Sequence, residues 1–449
     1  MLRMTDKSKA VPKTRLGRFG KVAKLAGGIA GGMLAEGTRQ WRAGNRPRAS
    51  DLLLTPANAR RFTKQLSEMR GAAMKLGQIL SMDSGDFLPR EFADILAQLR
   101  DGAYAMPEAQ LHEVLCEAYG DDWQGKLRNF ESQPFAAASI GQVHRLSARD
   151  GRDAVLKIQY PGIAESIDSD VDNLATLLRL SGLLPKHIDI KPMLAEVKVQ
   201  LRDEANYEQE ARYLNSFVRA LGEDERFLLP RVVPSLTSEK ILAMTFVPGE
   251  PIETLIDASQ EERDRVVSLL IELLLVELFD LRLVQTDPNF ANYRYNTETG
   301  QLVLLDFGAS RRFKASFMHA YRDLLAAQIS GDRRAVADAA NRVGYGLGES
   351  DGNDDAHNAT NKAYRDLLLD LFDIVLDPIC HEAAYDFGAS TIPAQTMLLS
   401  EQLRDHQAEW QAPPIDAAYV HRKIGGLFML ASRLKARVNV RVLLAPYLR

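Results

Sequence analysis

The hydrophobic period of the chain changes twice, and that change restricts its fold more than any other feature. "LRNFESQPF" (127–135), "GQVHRLSA" (141–148) and "AVLKIQY" (154–160) are short strand-like runs, and "RDGRD" (149–153) reads as a tight turn between the last two. "FLLPRVVPSLTSEKILAMTFV" (227–247) returns to strand character. Long helical stretches lie between, including 192–220, and helical spacing dominates from about residue 258. Two short segments interrupt that last region, "QTDPNFAN" (285–292) and the strand-like "LVLLDFG" (302–308). The expected class is α+β: a small strand-rich lobe, a linker near "VPGEP" (247–251) and a larger helical lobe, with a helical extension in front. The expected divisions are 1–50, 51–125, 126–247 and 248–449. No internal repeat is present, and "GESDGNDDAHNATN" (348–361) reads as a polar loop.

The extension holds two helical patterns. Over 57–82, Phe62, Leu66, Met69, Ala73, Leu76 and Leu80 recur at alternating steps of four and three. Lys75 and Gln78 share one face of that helix, and Gly71 and Gly77 thin it so that other groups can come close. Over 107–120, Pro107 sits at the first turn and Gly120 follows the end.

Charge is distributed unevenly. Residues 1–50 carry 12 Lys or Arg against 2 Asp or Glu, whereas the whole chain has 56 against 60. A basic arm ahead of an acidic body predicts an anionic partner for the arm. Anionic membrane lipid is the favoured one, since each basic residue near such a surface gains about 1 kcal/mol. No nucleic-acid recognition motif is present, so nucleic acid is not expected. The uncharged stretch Leu25–Ala35 is too short to span a bilayer. No clear cleavage site marks the arm as a secretory signal. A mitochondrial transit segment and a plain flexible arm stay open beside interfacial contact. Only Cys116 and Cys380 are present, which excludes a disulfide framework or a cysteine-rich zinc site and suits a reducing compartment.

Five further features carry chemistry. Lys157 alternates with Leu156 and Ile158 and so faces away from them, either reaching water or holding an anion. About twenty residues earlier, Ala136, Ala137, Ala138 and Ser139 form a small-residue loop of the kind that lets backbone N–H groups approach a phosphate. Downstream, Glu204 and Glu210 are both candidates to pair with Lys157. Finally Asp287, Asn292 five residues on, and Asp306 in D-F-G follow the order of a kinase-like catalytic loop and its metal ligands. Asn292 and Asp306 supply the hard oxygens that Mg²⁺ favours. Met244, Thr245, Phe246 and Val247 fall where an adenine ring would meet a lobe junction. The order of all these parts points to a magnesium-nucleotide site.

"MRGAAMKLGQILSM" with its K-x-G-Q signature, "PFAAASIGQVH", "LKIQYPGI", "QTDPNFAN" and "LLDFGA" together resemble the UbiB family of atypical kinase-like proteins, over roughly residues 55–445. The wording "QTDPN" resembles its coenzyme Q branch of eukaryotic type. The resemblance implies a bilobal protein-kinase-like fold with an N-terminal K-x-G-Q extension, and a part in ubiquinone biosynthesis. By position it implies that Lys157 contacts the phosphates of ATP or ADP and pairs with Glu210, that Asp287 is the catalytic-loop acid, and that Asn292 and Asp306 hold Mg²⁺. It implies that Ala136 to Ser139 replace a glycine-rich loop and that Lys75 and Gln78 lie over the active site, obstructing a protein substrate. The family's E-x-D signature reads Glu204-Ala205-Asn206 here, which removes any role at 206 that needs charge.

No A-P-E segment follows "DFGAS". Together with the alanine loop and the K-x-G-Q helix, this favours nucleotide hydrolysis or phosphoryl transfer to a small or lipid-like acceptor. A nucleotide-gated binding module without turnover is the alternative, and a protein kinase ranks third. The expected partners are nucleotide, anionic lipid, quinone precursors and proteins of ubiquinone biosynthesis. The expected location is cytoplasmic and peripheral to the inner membrane in a bacterium, or the matrix side of a mitochondrion.

Overall fold

The structure is a computed structural model that describes residues 105–147, 151–181, 191–287, 289–347, 355–404 and 414–448. The basic arm, the helix expected over 57–82 with Lys75 and Gln78, and residues 348–354 lie outside the described residues. The chain divides into two compact units, Met1–Val218 with Pro230–Val247, and Arg219–Leu229 with Pro248–Arg449.

The first unit is built on an antiparallel sheet. Its strands are β1 (Ala136–Ala137), β2 (Gly141–Ser147) and β3 (Asp153–Gln159); Phe227–Leu228 (β4) belongs to the second unit, and β5 (Ile241–Thr245) pairs with β3. The order is β1-β2-β3-β5, with Lys157 opposite Val143 on one side and Leu242 on the other. β2 and β3 approach so closely that a Cβ at Gly141 would stand 2.3 Å from the Ile158 carbonyl oxygen. Helix α1 (Glu108–Tyr119) runs between Pro107 and Gly120, whose φ of 88° suits glycine. Its Leu111, Val114 and Leu115 pack with Leu156, Ile158, Ile241 and Ala243 of the sheet.

Two expectations change here. The run 127–135 is not a continuous strand: Asn129 has a φ of 50° and Pro134 offers no N–H, so it meets β2 through a bridge from Arg128 to Ser147 and single bonds from the Glu131 and Phe135 N–H groups to the Arg145 and Val143 carbonyls. After α2 (Ile163–Ser181), the helical stretch 192–220 is two helices, α3 (Lys191–Glu204) and α4 (Tyr207–Leu221). Asn206 separates them, and its side chain accepts the Gln209 N–H at 2.9 Å as an N-cap. An amide caps a helix as well as a carboxylate does, so this position needs no charge.

In the second unit β6 (Glu250–Pro251) is followed by α5 (Gln260–Leu275), capped by Ser259. Buried residues run almost unbroken from Val266 to Leu275, so this later part of α5 is core, apolar on nearly every side, while its first turns are polar. A π-helical turn, Val276–Leu281, continues it and ends at Arg282, whose φ is 49°. β7 (Leu283–Gln285) then leads to Asp287. β8 (Tyr293–Asn296) and β9 (Gln301–Leu304) form a hairpin within the sheet β4-β9-β8-β6, and β10 (Ser310–Arg312) pairs with β7. Helices α6 (Ala315–Ser330), α7 (Arg333–Val343), α8 (Asp355–Val375), α9 (Ile392–Arg404) and α10 (Ile415–Arg433) complete the unit, with Tyr385–Asp386 (β11) paired to Arg437–Val438 (β12). The polar run 348–361 is therefore helical from Asp355 onward.

The motif residues Gln142 and His144 turn out to be structural. The Met106 N–H donates to Gln142 Oε1 (2.8 Å), the Gln142 amide meets His144 Nε2 (2.7 Å), and His144 Nδ1 meets the Glu131 carbonyl (2.8 Å). Since a carbonyl only accepts, Nδ1 carries the proton and Nε2 accepts from the amide. Burial holds His144 down to about 4, against the pull of its Glu131 hydrogen bond. A depressed histidine stabilises the fold fully above its unfolded value, near 6.5, and loses that contribution as pH falls toward 4. In urea denaturation, lowering the pH from 7 to 4 should cost His144→Asn about 3 kcal/mol less than wild type; parallel pH dependences for the two proteins would contradict this.

Candidate functional site

In the first unit Lys157 is 9% exposed and Glu210 is 1% exposed. The lysine Nζ lies 2.8 and 2.9 Å from the two carboxylate oxygens of Glu210. β3 sets this up by alternation, sending Leu156 and Ile158 into the α1 core and Lys157 to the other face. α4 brings Glu210 into its first turn, and Tyr207 places its ring 5.2 Å from the ammonium. The other candidate, Glu204, ends α3 and accepts the Ser139 hydroxyl at 2.8 Å. The two glutamates thus take different partners: one holds the strand lysine, the other the small-residue loop. In that loop Ala136 and Ala137 are β1 itself, and the Ala138 N–H donates to the Gly141 carbonyl.

The segment Met244 to Val247 is at the end of β5. Met244 is buried opposite Val155. The Thr245 N–H donates to the Arg231 carbonyl and the Phe246 N–H to the Asp153 carbonyl, so neither can donate to a base. The Phe246 ring and that of Phe135 flank the Arg145 guanidinium, at 4.4 and 4.0 Å.

In the second unit three segments bring Asp287, Asn292 and Asp306 together. The β8–β9 register pairs Tyr293 with Leu304, and the Leu305 N–H donates to the Asn292 carbonyl. Asn292 is therefore directly beside the residue that precedes Asp306. β7 pairs with β10, and Thr286 extends that pairing through its N–H and hydroxyl to the Ala309 carbonyl. This fixes the residue before Asp287 against the chain just beyond D-F-G. The Asn292 amide nitrogen donates to the Asp287 carbonyl at 3.3 Å, which directs its side-chain oxygen elsewhere. Asp306 Oδ1 accepts the Gly308 N–H at 2.9 Å, and Phe307 is buried. The chain reaches α6 at Ala315, so only a few residues separate D-F-G from the next helix.

These donors fit Mg²⁺. The set is one carboxylate and one amide oxygen, with no trio of Asp, Glu, His or Cys able to cage an ion among the described residues. Mg²⁺ is held in this way, by one or two protein oxygens with phosphates and waters completing the shell.

Sequence reasoning missed two basic residues of α10. Arg422, with its side chain 8% exposed, stands 3.8 Å from Asp287, and Lys423 lies against Glu277 and Tyr293. Each is far from its partner in sequence. The available signal was the charge itself: "HRK" interrupts an apolar helix, and Glu277 is a lone acid within "LLLVELF".

A family profile described as "ABC1 atypical kinase-like domain" matches residues 98–340, more than half of the chain. The mitochondrial atypical kinase COQ8 of Saccharomyces cerevisiae is 36% identical over 442 residues, covering 97% of this chain and 85% of that protein. The mitochondrial atypical kinase coq-8 of Caenorhabditis elegans is 34% identical over 440 residues; the match covers 96% of this chain but only 57% of the relative's length. Among solved structures, a Mycobacterium tuberculosis protein in complex with erythromycin is similar in fold, with a TM-score of 0.57 at 24% identity, over 87% of this chain and 95% of that one. The fold is the bilobal, kinase-like α+β one.

Leaving one partner of a buried ion pair alone costs far more than replacing both. Glu210→Ala should lower unfolding stability by about 3 kcal/mol, and Lys157→Met/Glu210→Leu should recover most of that loss. Denaturant titration of the three proteins checks this; a double variant no more stable than the single one would contradict it.

Proposed function

Because the chain belongs to the ABC1 (UbiB) family of atypical kinase-like proteins, we propose that it supports ubiquinone biosynthesis by Mg²⁺-dependent nucleotide hydrolysis or phosphoryl transfer to a small or lipid-like acceptor. The observation that carries this reading is the convergence of Asp287, Asn292 and Asp306 at the ends of the β8–β9 hairpin and the β7–β10 pair. Lys157, held by Glu210, binds phosphate oxygens of ATP or ADP. Asp287 accepts a hydrogen bond from the attacking hydroxyl or water and orients it. Asn292 and Asp306 hold Mg²⁺, which when bound neutralises charge on the phosphates. An adenine ring takes its backbone donor from Val247, since the N–H groups of Thr245 and Phe246 are engaged.

The acceptor class rests on two features. The short connection from Asp306 to α6 leaves little chain for docking a peptide. The K-x-G-Q residues Lys75 and Gln78 belong to an extension that ordinary kinases lack. Two relatives' names place those proteins in mitochondria. For this chain the basic arm points to the face of an anionic membrane, with quinone precursors or ubiquinone-biosynthesis proteins as partners there. No helix among the described residues is long and apolar enough to cross a membrane.

Full-length protein with Mg²⁺ and ATP should release phosphate, faster with anionic liposomes. Asp306→Ala should abolish at least about 99% of that turnover, as expected for loss of a group that acts on the transition state. Equal rates in wild type and Asp306→Ala would refute the catalytic reading. Nucleotide binding without any turnover would instead select the binding-module alternative.

A further inference from the structure

We propose that Lys423 on α10 is a positioning residue for the candidate metal ligand Asn292, acting through the hydroxyl of Tyr293. The inference rests on the reading of Asn292 and Asp306 as Mg²⁺ ligands.

Lys423, Glu277 and Tyr293 form a buried trio, 3%, 1% and 8% exposed. The Lys423 Nζ donates to the Tyr293 hydroxyl at 2.7 Å and lies 3.1 Å from Glu277 Oε2. Burial works against the lysine's charge, but Glu277 and Tyr293 outweigh it and hold the group protonated. The Gln285 backbone faces Glu277 and favours its carboxylate form, against the effect of burial. One trio therefore reaches both ends of the catalytic loop: Gln285 enters it two residues before Asp287, and Tyr293 leaves it one residue after Asn292. The Lys423 face of α10 continues the contact. Lys423, Gly426, Leu427 and Leu430 recur at helical spacing and line, with Phe290 and Tyr293 of the loop, a recess of about 10 Å³.

Stability alone does not account for these charges. Well-packed apolar residues in place of a buried ion pair are often neutral or stabilising. The trio instead supplies direction. Glu277 is set by the π-helical turn that ends α5, a local departure that re-aims side chains. Tyr293 opens β8, so its backbone is already held by Leu304. Fixing its hydroxyl as well restrains the backbone at Asn292, whose amide is then kept in one direction by its bond to the Asp287 carbonyl. Residues that orient a metal ligand in this way act on metal affinity rather than on the fold.

The test uses full-length protein, Mn²⁺ as the probe and saturating ADP, with bound Mn²⁺ read by electron paramagnetic resonance. Tyr293→Phe keeps the ring, and so the packing and the cation–π contact with Lys423, whose Nζ lies 5.4 Å from the ring centroid. It should weaken Mn²⁺ binding about tenfold, while ADP affinity measured in EDTA stays at the wild-type value. Lys423→Met/Glu277→Gln removes the same hydrogen bond without stranding a charge and should give the same split. Unchanged Mn²⁺ affinity in both variants overturns the proposal. So does an equal loss of ADP affinity with and without metal, which marks general loosening. If wild type binds no more Mn²⁺ than Asp306→Ala, the underlying reading of the metal ligands fails, and this inference with it.

Discussion

A lysine ammonium taken out of water needs a carboxylate within reach, and Lys157 with Glu210 is the contact on which the first unit turns. The cost of burying either charge alone is several kcal/mol, so the pair ties strand to helix wherever the fold forms. β3 has to present Lys157 on the face opposite Leu156 and Ile158, and α4 has to start at Tyr207 for Glu210 to arrive in its first turn. Asn206 provides that start by capping the helix. The break it makes also ends α3 at Glu204, where the side chain can receive Ser139. One register and one cap thus position both the strand lysine and the small-residue loop.

The second unit solves a different problem, bringing the chain at Asp287, Asn292 and Asp306 together. The hairpin and the β7–β10 pair do this with backbone hydrogen bonds. Support comes from beneath. α10 lies beyond the residues matched by the family profile, yet Arg422 stands beside Asp287 and Lys423 beside Tyr293, on either side of the candidate loop. The chain after residue 340 is therefore part of how the candidate site is built.

Much of this was legible in the sequence where local physics decides. Pro107 and Gly120 bracket α1 because a fixed φ suits a helix start and a positive φ suits its end. Alternation set the face of Lys157. The spacing of Asp287, Asn292 and Asp306 implied a loop followed by a strand. What local pattern could not decide depended on tertiary partners. By local pattern two glutamates six residues apart looked equivalent; the family resemblance singled out Glu210, and the break at Asn206 is what separates their directions. The run 127–135 has strand-like residues, but a left-handed Asn129 and Pro134 prevent a ladder. Thr245 and Phe246 suited an adenine contact until the strand pairing engaged their N–H groups. The helical start at Asp355 was hidden by polar composition, since a solvated first turn and a loop use the same residues. Arg422 and Lys423 stood out only as charges in an apolar helix, and their partners, more than a hundred residues away, could not be read from local pattern.

The most direct measurement is a crystal structure with Mn²⁺ and a non-hydrolysable ATP analogue, with the metal located by its anomalous signal. The account predicts a peak about 2.2 Å from both the Asn292 side-chain oxygen and the Asp306 carboxylate. A metal bound by neither residue, with nucleotide present, would contradict it.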